Sequence, residues 1–358
     1  MPLARIGFIL ASNRRTPLPS TRISVLNMLP FLSDAGFATQ IVHEPAEATS
    51  TPDLDGLDVA ALARAHDIVF LQKCHGPSAL RLVRRLEAAG VRTVFGVCDL
   101  VEPSMVEATS ATAVVTPYLR SLYPASLQVR MHVVHDGIEA PERYRIERST
   151  RRGTRADPLR AVLVTSAAPA RLEPIGPLPD WLRVTVVGAY PARLPHPRAW
   201  RWLWEQFVGQ PPARRRQLAA EVTAQRLHFV PWHPAGVYAQ LELADVAIIP
   251  VDPQASAAWA VKSENRLTLK MATGLPVVCT PIPAYEPIVV HGENAWFARS
   301  RGDWLDGLEW LREPAQRVAM GERARAAVMP RYSKQSQADA LIGVLRGVLA
   351  REDSGHAR

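Results

Sequence analysis

Apolar residues fall in two rhythms along the chain: short unbroken runs, and longer stretches with an apolar position every three or four residues. The pattern predicts strands at Ile6–Leu10, Thr39–His43, Asp67–Gln72, Arg92–Val97, Ser110–Pro117 and Gln128–His135, with the unbroken run Asp67–Gln72 buried. The second rhythm predicts helices between them. Thr21–Ala35 carries Ile23, Leu26, Leu29 and Leu32 at intervals of three and stops at Gly36. Ala60–Ala65 and the basic segment Ser78–Ala89, closed by Gly90, read the same way. Strand and helix alternate, so the sheet is parallel and covered on both faces.

After the turn His135-Asp136-Gly137 the pattern stops. Residues 141–158 are charged and without apolar period, which predicts a linker. The rhythm restarts with strands at Arg160–Thr165, Leu182–Gly188, Arg226–Phe229, Val246–Pro250 and Pro276–Thr280, and an amphipathic helix at Ala338–Leu349. The expected class is α/β, with two Rossmann-like domains facing a central cleft. The expected divisions are 1–140, a linker 141–158, a second domain 159–332, and a C-terminal helix and tail 333–358.

Composition narrows the picture. The chain has 358 residues, 47% of them apolar, enough for two cores. Its formal charge is +8, carried almost wholly by arginine; the lysines are Lys73, Lys262, Lys270 and Lys334. Dispersed basic residues without a reader motif argue against a nucleic-acid binder. Cys74, Cys98 and Cys279 are too far apart for a metal or redox motif, which fits a reducing compartment. The apolar run at Ile6–Ala11 is too short for a signal sequence, and no uncharged run reaches a membrane span. A cytoplasmic protein is expected, at most peripheral at the inner face of a membrane.

The richest chemistry lies between Val261 and Phe297, which reads as loop, helix, tight turn, buried strand and Pro-rich loop. Lys262 and Ser263 stand where the helix begins; Gly274 and Pro276 stop it. A helix N-terminus after such a loop suits a phosphate or diphosphate. Lys262, Arg266 and Lys270 recur every four residues and share a face. Lys270 lies two turns in and reads as structural. Ser263 reads equally as an N-cap or a ligand contact.

The order Val-Pro-Trp (230–232), LADVAIIP (243–250), KSENR (262–266), KMATGLPVV (270–278) and PIPAYEPIVVHGENAWF (281–297) resembles the GT-B glycosyltransferases, especially the family-4 type that builds bacterial polysaccharides. The first half is similar more loosely, through STRISVLNMLPFLSDAGF (20–37), DIVFLQK (67–73), VFGVCD (94–99) and VVHDGIE (133–139). The resemblance implies a nucleotide-diphosphate sugar held by the second domain and an acceptor, carbohydrate or lipid-linked, held by the first. It also implies a last helix that crosses back to the first domain, and transfer with retention, without metal or cofactor. Lys262 and Arg266 would neutralise the diphosphate as the leaving group departs. Ser263, Asn265 and the loop Pro283, Ala284, Tyr285 and Glu286 would contact the rest of the donor. In the first domain Ser20, Thr21, Arg22 and Lys73 would face the acceptor, with Asp99 or His75 available as a base.

One departure bears on the donor. The family's Glu-x7-Glu pattern, whose second glutamate holds the donor ribose, falls on Val261 and Leu269. Leucine accepts no hydrogen bond, so a non-catalytic sugar-nucleotide or polysaccharide-binding relative stands as the alternative. Asp53-Leu54-Asp55 imitates a metal motif but sits in a Pro/Gly loop of the other domain. Residues 197–217 gather Trp200, Trp202, Trp204 and Phe207 among Arg198, Arg201 and Arg214–Arg216. That mixture fits either helix packing or a peripheral contact with an anionic membrane.

Overall fold

A computed structural model describes residues 4–143, 149–165, 172–188, 204, 208–233, 236–252 and 257–350. The chain divides into two compact units. The first comprises Met1–Glu139, Val261–Glu264 and Tyr332–Arg358; the second comprises Ala140–Ala260 and Asn265–Arg331.

The first unit is built on six parallel strands: β1 (Arg5–Ile9), β2 (Ala38–His43), β3 (Ile68–Gln72), β4 (Arg92–Val97), β5 (Ala111–Val114) and β6 (Met131–Val133). Their order is β2-β1-β3-β4-β5-β6. Every residue of β3 is buried, as its unbroken apolar run requires of a strand covered on both faces. Alternation sorts the side chains. Ile68 and Phe70 join Ile6 and Phe8 in one core, while Val69 and Leu71 join Ile9, Phe95 and Val97 in another. The C-terminal helix Lys334–Ala350 covers the first of these cores with Ala338, Leu341, Leu345 and Val348. It therefore belongs to the first unit, although residues 265–331, which precede it, form part of the second.

The expected helix Thr21–Ala35 is not continuous. A short turn Pro19–Thr21 runs into a π turn Arg22–Leu26, and a second helix occupies Leu29–Asp34. The N–H of Asn27 bonds the carbonyl of Arg22 at 2.8 Å, the wide i→i+5 spacing. Pro30 lacks an N–H and crowds the preceding turn, so the ladder cannot run straight through.

The second unit repeats the plan with β7 (Leu159–Val164), β8 (Leu182–Gly188), β9 (Leu227–Pro231), β10 (Val246–Ile249), β11 (Val277–Cys279) and β12 (Trp296–Phe297). All pairs are parallel, in the order β12-β11-β10-β7-β8-β9. The segment read as a linker is bound to this unit where it is described. Arg317, 4% exposed, donates to the carbonyls of Ser149 and Arg151 at 3.0 and 2.5 Å and to those of Leu311 and Arg312 at 2.7 and 2.9 Å.

Candidate functional site

In open parallel sheets ligands approach the carboxyl ends of the strands. At that edge of the first sheet the chain leaves β3 through Lys73 and β4 through Asp99. Lys73 takes φ 59°, a left-handed conformation that a side chain disfavours, and its N–H bonds the Gly96 carbonyl at 2.7 Å. The turn brings its Nζ to 2.5 Å from Asp99 Oδ2. Lys262 reaches the other oxygen, with Nζ 2.6 Å from Oδ1. Burial would raise the Asp99 pKa, but the hydrogen bonds from Lys262 and Lys73, with their charges, outweigh it and hold the carboxyl at about 2. Such a carboxylate is a weak base at neutral pH. His75, the other base candidate, is half-buried in the same turn. Burial and then the Lys73 charge lower its pKa, so its imidazole is neutral at pH 7.

A second cluster lies beside it in the first unit. Ser263 Oγ donates to Asp136 Oδ2 at 2.8 Å, and His135 Nδ1 lies 2.6 Å from Glu264 Oε1. Glu264 is 1% exposed. Asp136 is also buried, and burial together with the Glu264 charge pushes its carboxyl up to about 7. The His135 ring stands edge-on to Tyr332 with centroids 5.1 Å apart, and Gly137 N–H donates to Gln337 Oε1 at 2.9 Å. Nearby, Arg22 makes a two-pronged ion pair with Glu139 at 2.6 and 2.9 Å.

Thr21 is placed differently from expectation. It is fully buried and spent on a seam, accepting from Ser12 Oγ at 2.8 Å and donating to Gln72 Oε1 at 2.9 Å. A hydroxyl so enclosed joins the end of β1 to β3 and does not face an acceptor. Ser20 is half-buried at the head of the same turn.

In the second unit the helix Asn265–Ala272 carries Arg266, whose guanidinium lies 5.1 Å from the Trp259 ring. Asn265 holds a buried amide nitrogen with no hydrogen-bond partner among the described residues. Lys270 is 1% exposed and donates to the Arg266 carbonyl at 2.7 Å. Burial, and then the Arg266 charge, lower its pKa to about 7. Lys270 is thus interior, while Leu269 is half-buried. Beyond β11, the N–H groups of Tyr285 and Glu286 both turn back onto the Ile282 carbonyl, at 2.8 and 3.3 Å. Ala284 and Tyr285 are buried, Pro283 is half-buried and the Glu286 side chain is exposed. Of this loop, then, the carboxylate of Glu286 is the group open to a ligand, rather than those two N–H groups.

Asp53 and Asp55 are used locally. Asp53 accepts from the Asp55 N–H at 3.1 Å, and Asp55 pairs with Arg81. Among the described residues no group of three or more His, Cys, Asp or Glu could hold a metal, and no helix is long and apolar enough to cross a membrane. Within 197–217, Trp200, Trp202 and Phe207 lie outside the described residues, and Trp204 is 63% exposed.

No family model matches this sequence, and no curated protein does. Solved structures do. A glycosyltransferase from Rickettsia africae is similar over 98% of this chain and 99% of its own, with 10% identity and a TM-score of 0.70. Anabaena HepE, solved with UDP, is similar over 96% and 100%, with 11% identity and a TM-score of 0.68. Sucrose-phosphate synthase from Thermosynechococcus elongatus gives 97% and 100%, 11% and 0.63. The chain has the GT-B fold. Within this GT-B chain the sequence reading had marked Lys262, Lys73 and Asp99 separately; the structure brings them together. It missed Glu264, His135 and Asp136 as a cluster and Trp259 as the partner of Arg266. The run Lys-Ser-Glu-Asn was visible, but its partners lie more than 120 residues away.

Proposed function

We propose that this chain is a glycosyltransferase that moves a sugar from a nucleotide-diphosphate donor to a carbohydrate or lipid-linked acceptor, with retention and without metal. The observation that carries the reading is the likeness to glycosyltransferase structures along nearly the whole chain, both units included. HepE has been solved with UDP and with UDP-glucose, which supports a nucleotide sugar as the co-substrate.

Lys262 and Arg266 serve the diphosphate in this reading. Their charge offsets the negative charge that builds on the departing nucleoside diphosphate, and it does more for the transition state than for the bound donor. Glu286 takes sugar hydroxyls, and Asn265 offers that amide nitrogen. With both lysines on its carboxylate, Asp99 is a poor base for an inverting scheme. If a base assists the acceptor, neutral His75 suits the task better. A cytoplasmic setting, with 197–217 touching a membrane that carries the acceptor, completes the proposal.

Leu269 favours a second reading, a relative that binds a sugar nucleotide without turning it over. Release of nucleoside diphosphate from a panel of nucleotide sugars separates the two. Turnover is expected, and Lys262→Ala should slow it on the order of a hundredfold or more, as for loss of one charge-stabilising donor. Binding without any release, with and without candidate acceptors, would support the second reading instead.

A further inference from the structure

Two ammonium groups converge on one carboxylate in the first unit, and each holds its own oxygen: Lys73 at 2.5 Å and Lys262 at 2.6 Å. The cluster keeps one net positive charge. Lys73 follows β3 and Asp99 follows β4, and these strands are hydrogen-bonded neighbours. The group therefore sits at the sheet edge where parallel sheets receive ligands. Side-chain exposures of 25%, 27% and 32% for Lys73, Asp99 and Lys262 leave it within reach of a solute. Lys73 takes part from a left-handed backbone conformation. Two of the four lysines in the whole chain are spent here.

We propose that Lys73 and Lys262 form a two-ammonium anion site whose resting occupant is the Asp99 carboxylate, displaced when a phosphate-bearing ligand binds. The proposal rests on the reading of Lys262 as a phosphate residue. It adds Lys73 as the second cation and Asp99 as an internal competitor. A carboxylate offers two oxygens to two ammonium groups; a diphosphate offers the same contacts with more charge, so it wins the exchange. Asp99 stays ionised throughout the neutral range, so the competition is set by the ligand and not by protonation. The opposite view, that Asp99 merely orients Lys262 for the ligand, predicts the opposite sign when its charge is removed.

Titration calorimetry of the full chain with inorganic pyrophosphate decides between them, each variant's fold being checked by circular dichroism. Asp99→Asn should bind pyrophosphate more tightly than the unaltered chain, by on the order of tenfold. Asp55→Asn changes the net charge equally, at a carboxylate that pairs with Arg81 and with neither lysine, and should leave the affinity unchanged. Adding Lys73→Ala to Asp99→Asn should abolish the gain. Equal or weaker binding by Asp99→Asn overturns the proposal, as does a gain that survives the loss of Lys73 or is matched by Asp55→Asn. Undiminished binding by Lys262→Ala would overturn the underlying reading of Lys262 and the two-ammonium site with it. Absence of pyrophosphate binding in every variant would overturn both.

Discussion

Lys270 carries its ammonium into the interior of the second unit, where it has one hydrogen-bond acceptor, the Arg266 carbonyl, and among the described residues no carboxylate pairs with it. Its pKa is lowered from 10.5 to about 7 by burial. The unfolded chain therefore binds the proton more tightly, and folding is disfavoured wherever that proton must be released or buried. Stability from this group rises with pH between about 7 and 10.5, and the cost is largest below 7. Lys270→Met keeps the shape and removes the charge. It should raise the stability at pH 7 by about 1 kcal/mol or more, read from urea unfolding, with the gain shrinking towards pH 10. Asp136 has the opposite sign. Its pKa is raised from 3.8 to about 7, so the folded form holds the proton more tightly and its contribution falls as pH rises from about 4 to 7. Asp136→Asn should therefore gain on the unaltered chain between pH 5 and pH 8; a constant difference across that range would show that Asp136 does not titrate in the fold. Legibility differs at this scale. Lys262 stood out by sequence because it is a rare lysine before a helix, but its bond to Asp99 spans 163 residues and no local pattern encodes it. Thr21 misled for the same reason: its partners Ser12 and Gln72 are brought to it by the sheet.

Elements were more legible than residues. The strands fall close to where the sequence places them; β3, buried on both faces, needs no partner information to be recognised, whereas β2 has no fully buried residue. The first helix did not follow its pattern. Intervals of three through Ile23, Leu26, Leu29 and Leu32 fit a helix, yet Pro30 and the π turn split it. The strand β12 is two residues long and gives no periodic signal at all. It is fixed instead by the helix Arg301–Trp310, which packs against it. Gly307 lies under the Trp296 ring, where an added Cβ would stand 2.5 Å from the indole, and the Trp296 Nε1 donates to the Asp303 carbonyl at 3.0 Å. Alanine is the better helix former by about 1 kcal/mol. Here the clash outweighs it, and Gly307→Ala should destabilise the protein by about 1–3 kcal/mol in denaturant unfolding. A stabilised variant would mean that the indole is free to move aside.

For the whole molecule, the α/β class and the repeated parallel plan follow from the alternation of runs and helices, and the pattern in residues 230–297 points to GT-B. Solved glycosyltransferases similar at 10–11% identity over almost the full length agree with that fold. The division of the chain was less legible. Val261–Glu264, which a linear reading assigns to the second unit, groups with the first, where Ser263 and Glu264 hydrogen-bond Asp136 and His135. Function depends on one claim above the others, that a nucleotide-diphosphate sugar is bound through Lys262 and Arg266. Thermal unfolding in the presence of UDP-, GDP-, ADP- and dTDP-sugars tests it most directly, since a ligand of the folded state raises the melting temperature. At least one donor should raise it for the unaltered chain and fail to do so for Lys262→Ala and Arg266→Ala. If no nucleotide sugar shifts the unaltered chain, or if both variants respond as fully as it does, the claim is contradicted.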